Sequence, residues 1–291
     1  MVKVSAIMSC YKSEPWFLER TIKSILTQLY GDFEFLIRSD GVNFDLQKFL
    51  EKFNDKRIKL LDDKEHRGNS GSHNYLMEHC NGEYIAIIDH DDEHFANHFQ
   101  DCVEELDKDK SLFTVSGITI NDELGKCPGR IIGTAMGPKE VSQRLLFYQP
   151  LRNPTVLMRR EMVEKYNLRF DPNIKQACDY DFWARCRKLN HLILNKIMMK
   201  YYRHPGSDSS DIQKLKINHR NIVKRNLKEI GINASDKLVE LISPFSCSPC
   251  CGNANIYIRE LMSYKPVLLK EITESYFNEK LAYVKRRACG Y

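Results

Sequence analysis

No stretch of this 291-residue chain is apolar for long enough to cross a bilayer as a helix. Residues 1–8 run straight into an apolar strand without a basic n-region or a cleavage site, so export is not expected. The ten cysteines lack the dense spacing of a small disulfide scaffold, which fits a reducing interior and a cytoplasmic setting. Low-complexity segments and internal repeats are missing. So are a Walker A sequence, G-x-G-x-x-G, H-E-x-x-H and G-x-S-x-G, which removes the main support for kinase, dehydrogenase, zinc-protease and hydrolase readings.

What remains is an ordinary globular composition in a chain long enough for one large core with an appendage, but tight for two enzyme domains. The formal charge of +5 is unevenly spread: residues 212–291 carry 14 Lys+Arg against 7 Asp+Glu, while the rest is near balance. Such a basic tail can meet an anionic membrane surface or an acidic acceptor, or form a solvated helix face. No nucleic-acid module accompanies it, so nucleic acid is not an expected partner.

Strand and helix signals alternate over the first ninety residues, the pattern of an α/β domain with a mostly parallel central sheet and crossover helices. Strands are expected at 2–8, 33–37, 58–61 and 84–88. Ser13 is placed to cap a helix with Pro15 in its first turn and Leu18, Ile22, Ile25, Leu26 and Leu29 on one face. Residues 46–53 and 72–80 read as two more helices, the second closed by Asn81-Gly82. Further helices are expected near 96–107, 139–147 and 179–189, strands at 112–120, 154–159 and 192–202, and a loop over 125–137. A turn-rich run at 205–210 marks the expected edge between a catalytic domain, 1–210, and a basic, mainly helical extension, 211–291. In that extension Ile212, Leu215, Ile222, Leu227 and Ile230 are interleaved with Lys and Arg, as in an amphipathic helix.

Ligands of open α/β sheets bind beyond the carboxyl ends of the strands, which directs attention to residues 9–14, 39–43 and 89–93. Asp89-His90-Asp91-Asp92 leaves an apolar strand directly. Carboxylates gathered there suit Mg2+ or Mn2+, which take one or two of them and complete their shells with phosphate and water. The same run also reads as an acidic turn at a helix start. Cys247, Cys250 and Cys251 have zinc-like spacing but no second ligand pair nearby. Arg159-Arg160 reads as a contact for an acidic acceptor or as a solvated pair.

Several ordered motifs together resemble glycosyltransferase family 2, whose members adopt the GT-A fold. Val4-Ser5-Ala6-Ile7-Met8-Ser9-Cys10-Tyr11 resembles the opening strand, and Ser24-Ile25-Leu26-Thr27-Gln28 with Phe33-Glu34 the first helix and second strand. Ser39-Asp40-Gly41 resembles the nucleobase-binding Asp-Asp-Gly. The spacing from Gly68 through Asn74 to Gly82-Glu83-Tyr84-Ile85 and Asp89-His90-Asp91-Asp92 matches the run to the DxD metal motif. Cys178-Asp179-Tyr180-Asp181-Phe182-Trp183 resembles Glu-Asp-Tyr-Asp-Leu-Trp. The likeness covers roughly the first two hundred residues.

The resemblance implies transfer of a sugar, with inversion, from a UDP- or dTDP-sugar to a hydroxyl of a glycan, lipid-linked or other acceptor, assisted by Mn2+ or Mg2+. It implies a donor-binding set of Ser9, Tyr11, Glu14, Asp40, Arg67, Asn74, Asp89, His90 and Asp91, a metal set of Asp91, Asp92 and His204, and Asp179 as general base. Asp40 can accept the imide N–H of uracil or thymine, and Tyr11 can flank the base. Asp181 reads as a structural residue at a helix start, Phe182 as core, and Trp183 as core or acceptor-pocket wall.

Three positions depart from the family pattern: Ser39 replaces the first acid of the usual pair, His73 stands where an Arg commonly precedes Asn74, and Cys178 replaces the Glu before the base. They keep open a non-catalytic nucleotide-sugar or glycan-binding protein on the same fold, and a sugar nucleotidyltransferase is a third reading. The expected location is cytoplasmic, with peripheral membrane contact through the basic C-terminal region left open.

Overall fold

The computed structural model describes residues 2–122, 129–202, 204, 211–244 and 254–289. Its first half is the expected parallel unit. Strand β1 (Val4–Cys10) lies between β2 (Phe33–Ser39) and β4 (Tyr84–Ile88), parallel to both, and β3 (Ile58–Leu60) extends β2 at the edge. Val4, Ala6, Ile7, Met8 and Cys10 are all fully buried, as a strand covered on both faces requires.

Beyond β4 the sheet becomes mixed. Strand β8 (Leu157–Arg159) runs antiparallel to β4 and to β6 (Leu112–Asp122), and β9 (Asn190–Tyr202) returns parallel to β6. Short β5 (Glu93–His94) pairs with β9, and β7 (Arg130–Ile132) with β6. The strand order is β3-β2-β1-β4-β8-β6-β9-β5. Strand β7 falls inside the segment that reads as a loop; its three residues are largely exposed, so no buried alternation announces it.

Helices cover both faces. On one, α1 (Pro15–Leu26), α2 (Leu46–Glu51) and α4 (His98–Lys108) bury Leu18, Ile22, Phe49, Phe99 and Leu106 against the strands. On the other lie α3 (Gly68–Glu78), α5 (Pro138–Leu145), α6 (Arg160–Lys165) and α7 (Cys178–Arg185). The C-terminal helices α8 (Ile212–Glu229), α9 (Asp236–Ile242), α10 (Ala254–Ser263), α11 (Lys265–Leu268) and α12 (Glu274–Cys289) share that second core through Ile222, Val223, Leu241 and Phe277. Helix α8 thus turns its apolar stripe toward the sheet side and leaves Lys214, Lys224 and Lys228 exposed. Among the described residues no helix is long and apolar enough to cross a membrane.

Two local expectations change and one open alternative closes. The N-cap of α1 is Glu14, not Ser13, and no side chain caps it; Ser13 is buried. Arg159 is neither solvated nor poised for an acceptor: it is buried and donates to the carbonyls of Leu106 and Leu112, tying β8 to the end of α4. Trp183 is fully buried beside Phe182, its Nε1 donating to Asn153 Oδ1 at 3.1 Å, so it is core and not a pocket wall. Cys247, Cys250 and Cys251 lie outside the described residues.

Candidate functional site

The polar stretches meet where β1, β2 and β4 end. Asp40 follows β2 and is buried; its backbone N–H donates to the Cys10 carbonyl at 2.8 Å, locking it beside the end of β1. Its carboxylate accepts from Arg38 Nη1 and from the backbone N–H of Arg67, each at 2.7 Å. Tyr11 stacks on His66 with ring centres 5.4 Å apart, and His66 Nδ1 lies 2.7 Å from the Asp40 carbonyl. Gly41 has a φ of +115°, and a Cβ there would stand 3.4 Å from the Tyr11 ring. Two half-open rings therefore form a lip over Asp40.

Arg38 holds this corner together. It is fully buried and donates to Asp40, Ser72 Oγ, Asp63 and the Glu65 carbonyl, clamping the segment that leads into α3. The side chain of Arg67 turns outward to Asp63 and Glu65, so only its backbone reaches Asp40. Ser9 pairs with Arg38 across the β1–β2 ladder, and Glu14 is exposed at the start of α1. His73 is buried near Asp40, its basicity lowered by burial, with Nδ1 2.9 Å from the Asn69 carbonyl. Asn74 grips the backbone of Phe170 from both sides, donating to its carbonyl at 2.9 Å and accepting from its N–H at 2.8 Å.

The acidic loop follows β4, which flanks β1 on the side away from β2; strand spacing puts it about 10 Å from the Asp40 corner. Asp91 Oδ2 is 2.8 Å from His204 Nε2, and Phe17 stacks on that imidazole at 4.6 Å. Asp92 is fully buried: Oδ1 accepts from the Tyr202 N–H at 3.0 Å, while Oδ2 has no partner. Burial, with Asp91 and Asp89 adding their charge, pushes the Asp92 carboxyl well above the usual range, so the three acids share one field. Thr21 Oγ1 donates to the Asp92 carbonyl at 2.6 Å and Arg20 to that of Asp91. His90 keeps a buried, unpartnered Nδ1.

Asp179 sits in the first turn of α7, just after Ala177, whose φ of +59° is left-handed for a residue with a Cβ. It is partly open. Oδ1 accepts from the Tyr180 N–H at 2.7 Å and Oδ2 from Gln149 Nε2 at 2.8 Å. Burial raises its proton affinity; the two hydrogen bonds and the charge of Arg152 oppose that. Arg152 also feels Tyr201, the neighbour of Tyr202. Val156, four residues on, accepts from the Ile87 N–H in β4. The segment 149–156 thus runs from Gln149, beside Asp179, to a hydrogen bond with β4. Asp181, two residues on, is buried and paired with Arg185 and Arg225, a structural role as its sequence position suggests.

The family profile of Glycosyl transferase family 2 matches residues 5–169, more than half of the chain. The chain belongs to this family. Among its curated relatives, an uncharacterized glycosyltransferase of Haemophilus influenzae is 27% identical over 72% of this chain and 68% of its own length. The UDP-Glc:alpha-D-GlcNAc-diphosphoundecaprenol beta-1,3-glucosyltransferase WfaP of Escherichia coli is 27% identical over 82% and 91%. The crystal structure of S. aureus TarS 1-349 in complex with UDP-GlcNAc superimposes with a TM-score of 0.62 at 14% identity, covering 98% of this chain and 90% of that one. A mannosyltransferase from Pyrobaculum calidifontis, in complex with GDP-Man and Mn2+, gives 0.60 at 15%, covering 98% and 86%. The fold is accordingly of GT-A type, and the protein is a glycosyltransferase enzyme.

In this family 2 transferase the donor chemistry for a hard divalent ion is at hand in Asp91, His204 and the unpartnered Asp92 Oδ2. Among the described residues no three His, Cys, Asp or Glu side chains are already drawn into a ligand set. Sequence reading missed Arg38, Arg20, Tyr202, His66, Gln149 and Arg152. Arg38, two residues before Asp40, carried the one available signal: a cation inside an otherwise apolar strand is buried only when paired.

Proposed function

We propose that the protein transfers a sugar from a uridine diphosphate donor to an acceptor hydroxyl with inversion, Asp179 acting as general base. The observation that carries this reading is the environment of Asp179: a carboxylate oriented by Tyr180 N–H and Gln149, made more basic by burial, and partly open to a ligand. In the reaction the acceptor O–H gives its proton to Asp179, the oxygen bonds to the anomeric carbon, and the bond to the diphosphate breaks on the opposite face.

Asp40 receives the imide N–H of the base beside the stacked rings of Tyr11 and His66, with Arg38 holding the carboxylate in place. The Asp89–Asp92 loop and His204 face the diphosphate, Asp91 and His204 being the first-choice ligands for Mn2+ or Mg2+ and Asp92 Oδ2 the buried atom such an ion satisfies. When bound, the ion supplies positive charge to the departing diphosphate. Asn74 serves this site from a distance, by fixing Phe170 on the approach to α7. The relatives' names support a transferase over a non-catalytic binding protein, and that of WfaP makes a lipid-linked acceptor the leading choice. Exposed lysines on α8 are compatible with work at an anionic membrane surface.

The test is acceptor-dependent release of nucleoside diphosphate over a panel of UDP-, dTDP- and GDP-sugars. A uridine donor should be turned over, with loss of activity on chelation and recovery with Mn2+ or Mg2+. Preference for a guanine donor would contradict the role of Asp40.

A further inference from the structure

Two side chains beside Asp179 are not used up by the protein. Gln149 donates Nε2 to Asp179 Oδ2 and to the Leu151 carbonyl, yet its Oε1 is buried without a partner. Arg152 is half-buried, its Nε is buried and unpartnered, and its guanidinium donates no hydrogen bond to the described residues. It meets Tyr201, Tyr148 and Asp179 only through space, and burial weakens its hold on the proton. Its Nε is withdrawn from water with no acceptor, while the terminal nitrogens, which are not among the buried unpartnered atoms, stay open to a ligand; a partly buried cation so placed is stabilised by an anionic partner.

The position of Arg152 indicates which anion. Displacement at the anomeric carbon sets nucleophile and leaving group on opposite faces, so groups that neighbour the base face the acceptor, and the departing diphosphate leaves from the other side. A guanidinium presents parallel N–H donors that match phosphoryl oxygens.

We propose that Arg152 and Gln149 form an acceptor subsite for a sugar phosphate or diphosphate, Arg152 taking a phosphoryl oxygen and Gln149 Oε1 a neighbouring sugar hydroxyl. The inference rests on Asp179 being the base, since that assigns this side of the cleft to the acceptor. It deepens the proposed function by requiring an anionic acceptor.

The experiment is calorimetric titration of the protein, saturated with UDP and Mg2+, with α-glucose 1-phosphate and with glucose. The phosphate should bind at least tenfold tighter than glucose. Arg152→Ala should abolish that preference, Arg152→Lys should keep part of it, and Gln149→Leu should weaken both sugars alike, with UDP affinity unchanged throughout. A short-chain prenyl diphosphate sugar binding more tightly than glucose 1-phosphate, still through Arg152, would identify a lipid source; the reverse order would identify a free sugar phosphate. The proposal is overturned if the wild type does not discriminate, if Arg152→Ala retains the preference, or if Arg152→Ala weakens UDP instead. The base assignment is read separately: Asp179→Asn should keep sugar-phosphate binding while losing transfer, and survival of transfer would remove the base without removing the anion contact.

Discussion

The guanidinium of Arg20 lies 3.5 Å from the ring centre of Tyr202, and the same group donates to the Asp91 carbonyl at 2.5 Å. One side chain of α1 thus joins the acidic loop to the end of β9, where the Tyr202 N–H holds Asp92. The apposition of Asp91 and His204 depends on both segments.

Removing that link should loosen the metal side of the site without unfolding the protein. A hydrogen bond from a charged donor contributes about 1.5–3 kcal/mol, so Arg20→Ala should weaken Mn2+-dependent UDP binding by roughly tenfold to a hundredfold. Isothermal titration with and without Mn2+ checks this. Metal-independent UDP binding should change little, because the Asp40 corner is fixed from β2 and α3.

Asn74 lies far along the chain from α7 yet fixes Phe170 with two hydrogen bonds. Asn74→Ala should cost about 2 kcal/mol of stability and lower kcat more than it raises the Kd for UDP. Denaturant midpoints with steady-state kinetics measure both. A pure loss of UDP affinity would instead make Asn74 a direct donor contact.

Much of this arrangement was legible in the chain itself. The apolar strands at 4–10, 33–39 and 84–88 and the acids at their ends were readable because buried parallel strands are continuous apolar runs and polar residues must leave at their termini. The antiparallel half was readable at 112–120, 154–159 and 192–202, but not at β7, whose three largely exposed residues are too few for a period to register. Gln149 and Arg152 had no signal, since only folding brings their turn to Asp179. Arg159 was misplaced and Trp183 left open for the opposite reason: their residue types suit ligands, and only the contacts of β8 and α7 reveal them as scaffold.

Lys280 offers a test of the packing between the C-terminal helices and the sheet. Its ammonium is buried among the rings of Phe147, Tyr148, Tyr276 and Tyr283 at 4.9–5.6 Å, and burial lowers its pKa to about 8. Folding then opposes the charged form, so the protein gains stability as pH rises from about 8 towards 10.5. Lys280→Met should be more stable than wild type at pH 7 by on the order of 2 kcal/mol, the rings' attraction for the cation offsetting part of the cost. Thermal unfolding across pH 7–10 should show the gap closing at the alkaline end.

The hydrogen bond from Gln149 lowers the proton affinity of Asp179, against burial, which raises it. A general base must be ionised, so kcat/KM should fall as pH drops through a pKa above the usual aspartate value. Gln149→Leu removes the opposing bond and should move this acid limb to higher pH. An unmoved limb would assign it to another group.

The most direct test of the account is Asp179→Asn, assayed for acceptor-dependent sugar transfer alongside UDP binding. General-base removal typically costs 10²–10⁴-fold, so transfer should fall by at least about a hundredfold and lose its acid limb, with UDP affinity preserved. Transfer at the wild-type rate by a variant that binds UDP normally would contradict the assignment of Asp179 and, with it, the proposed mechanism.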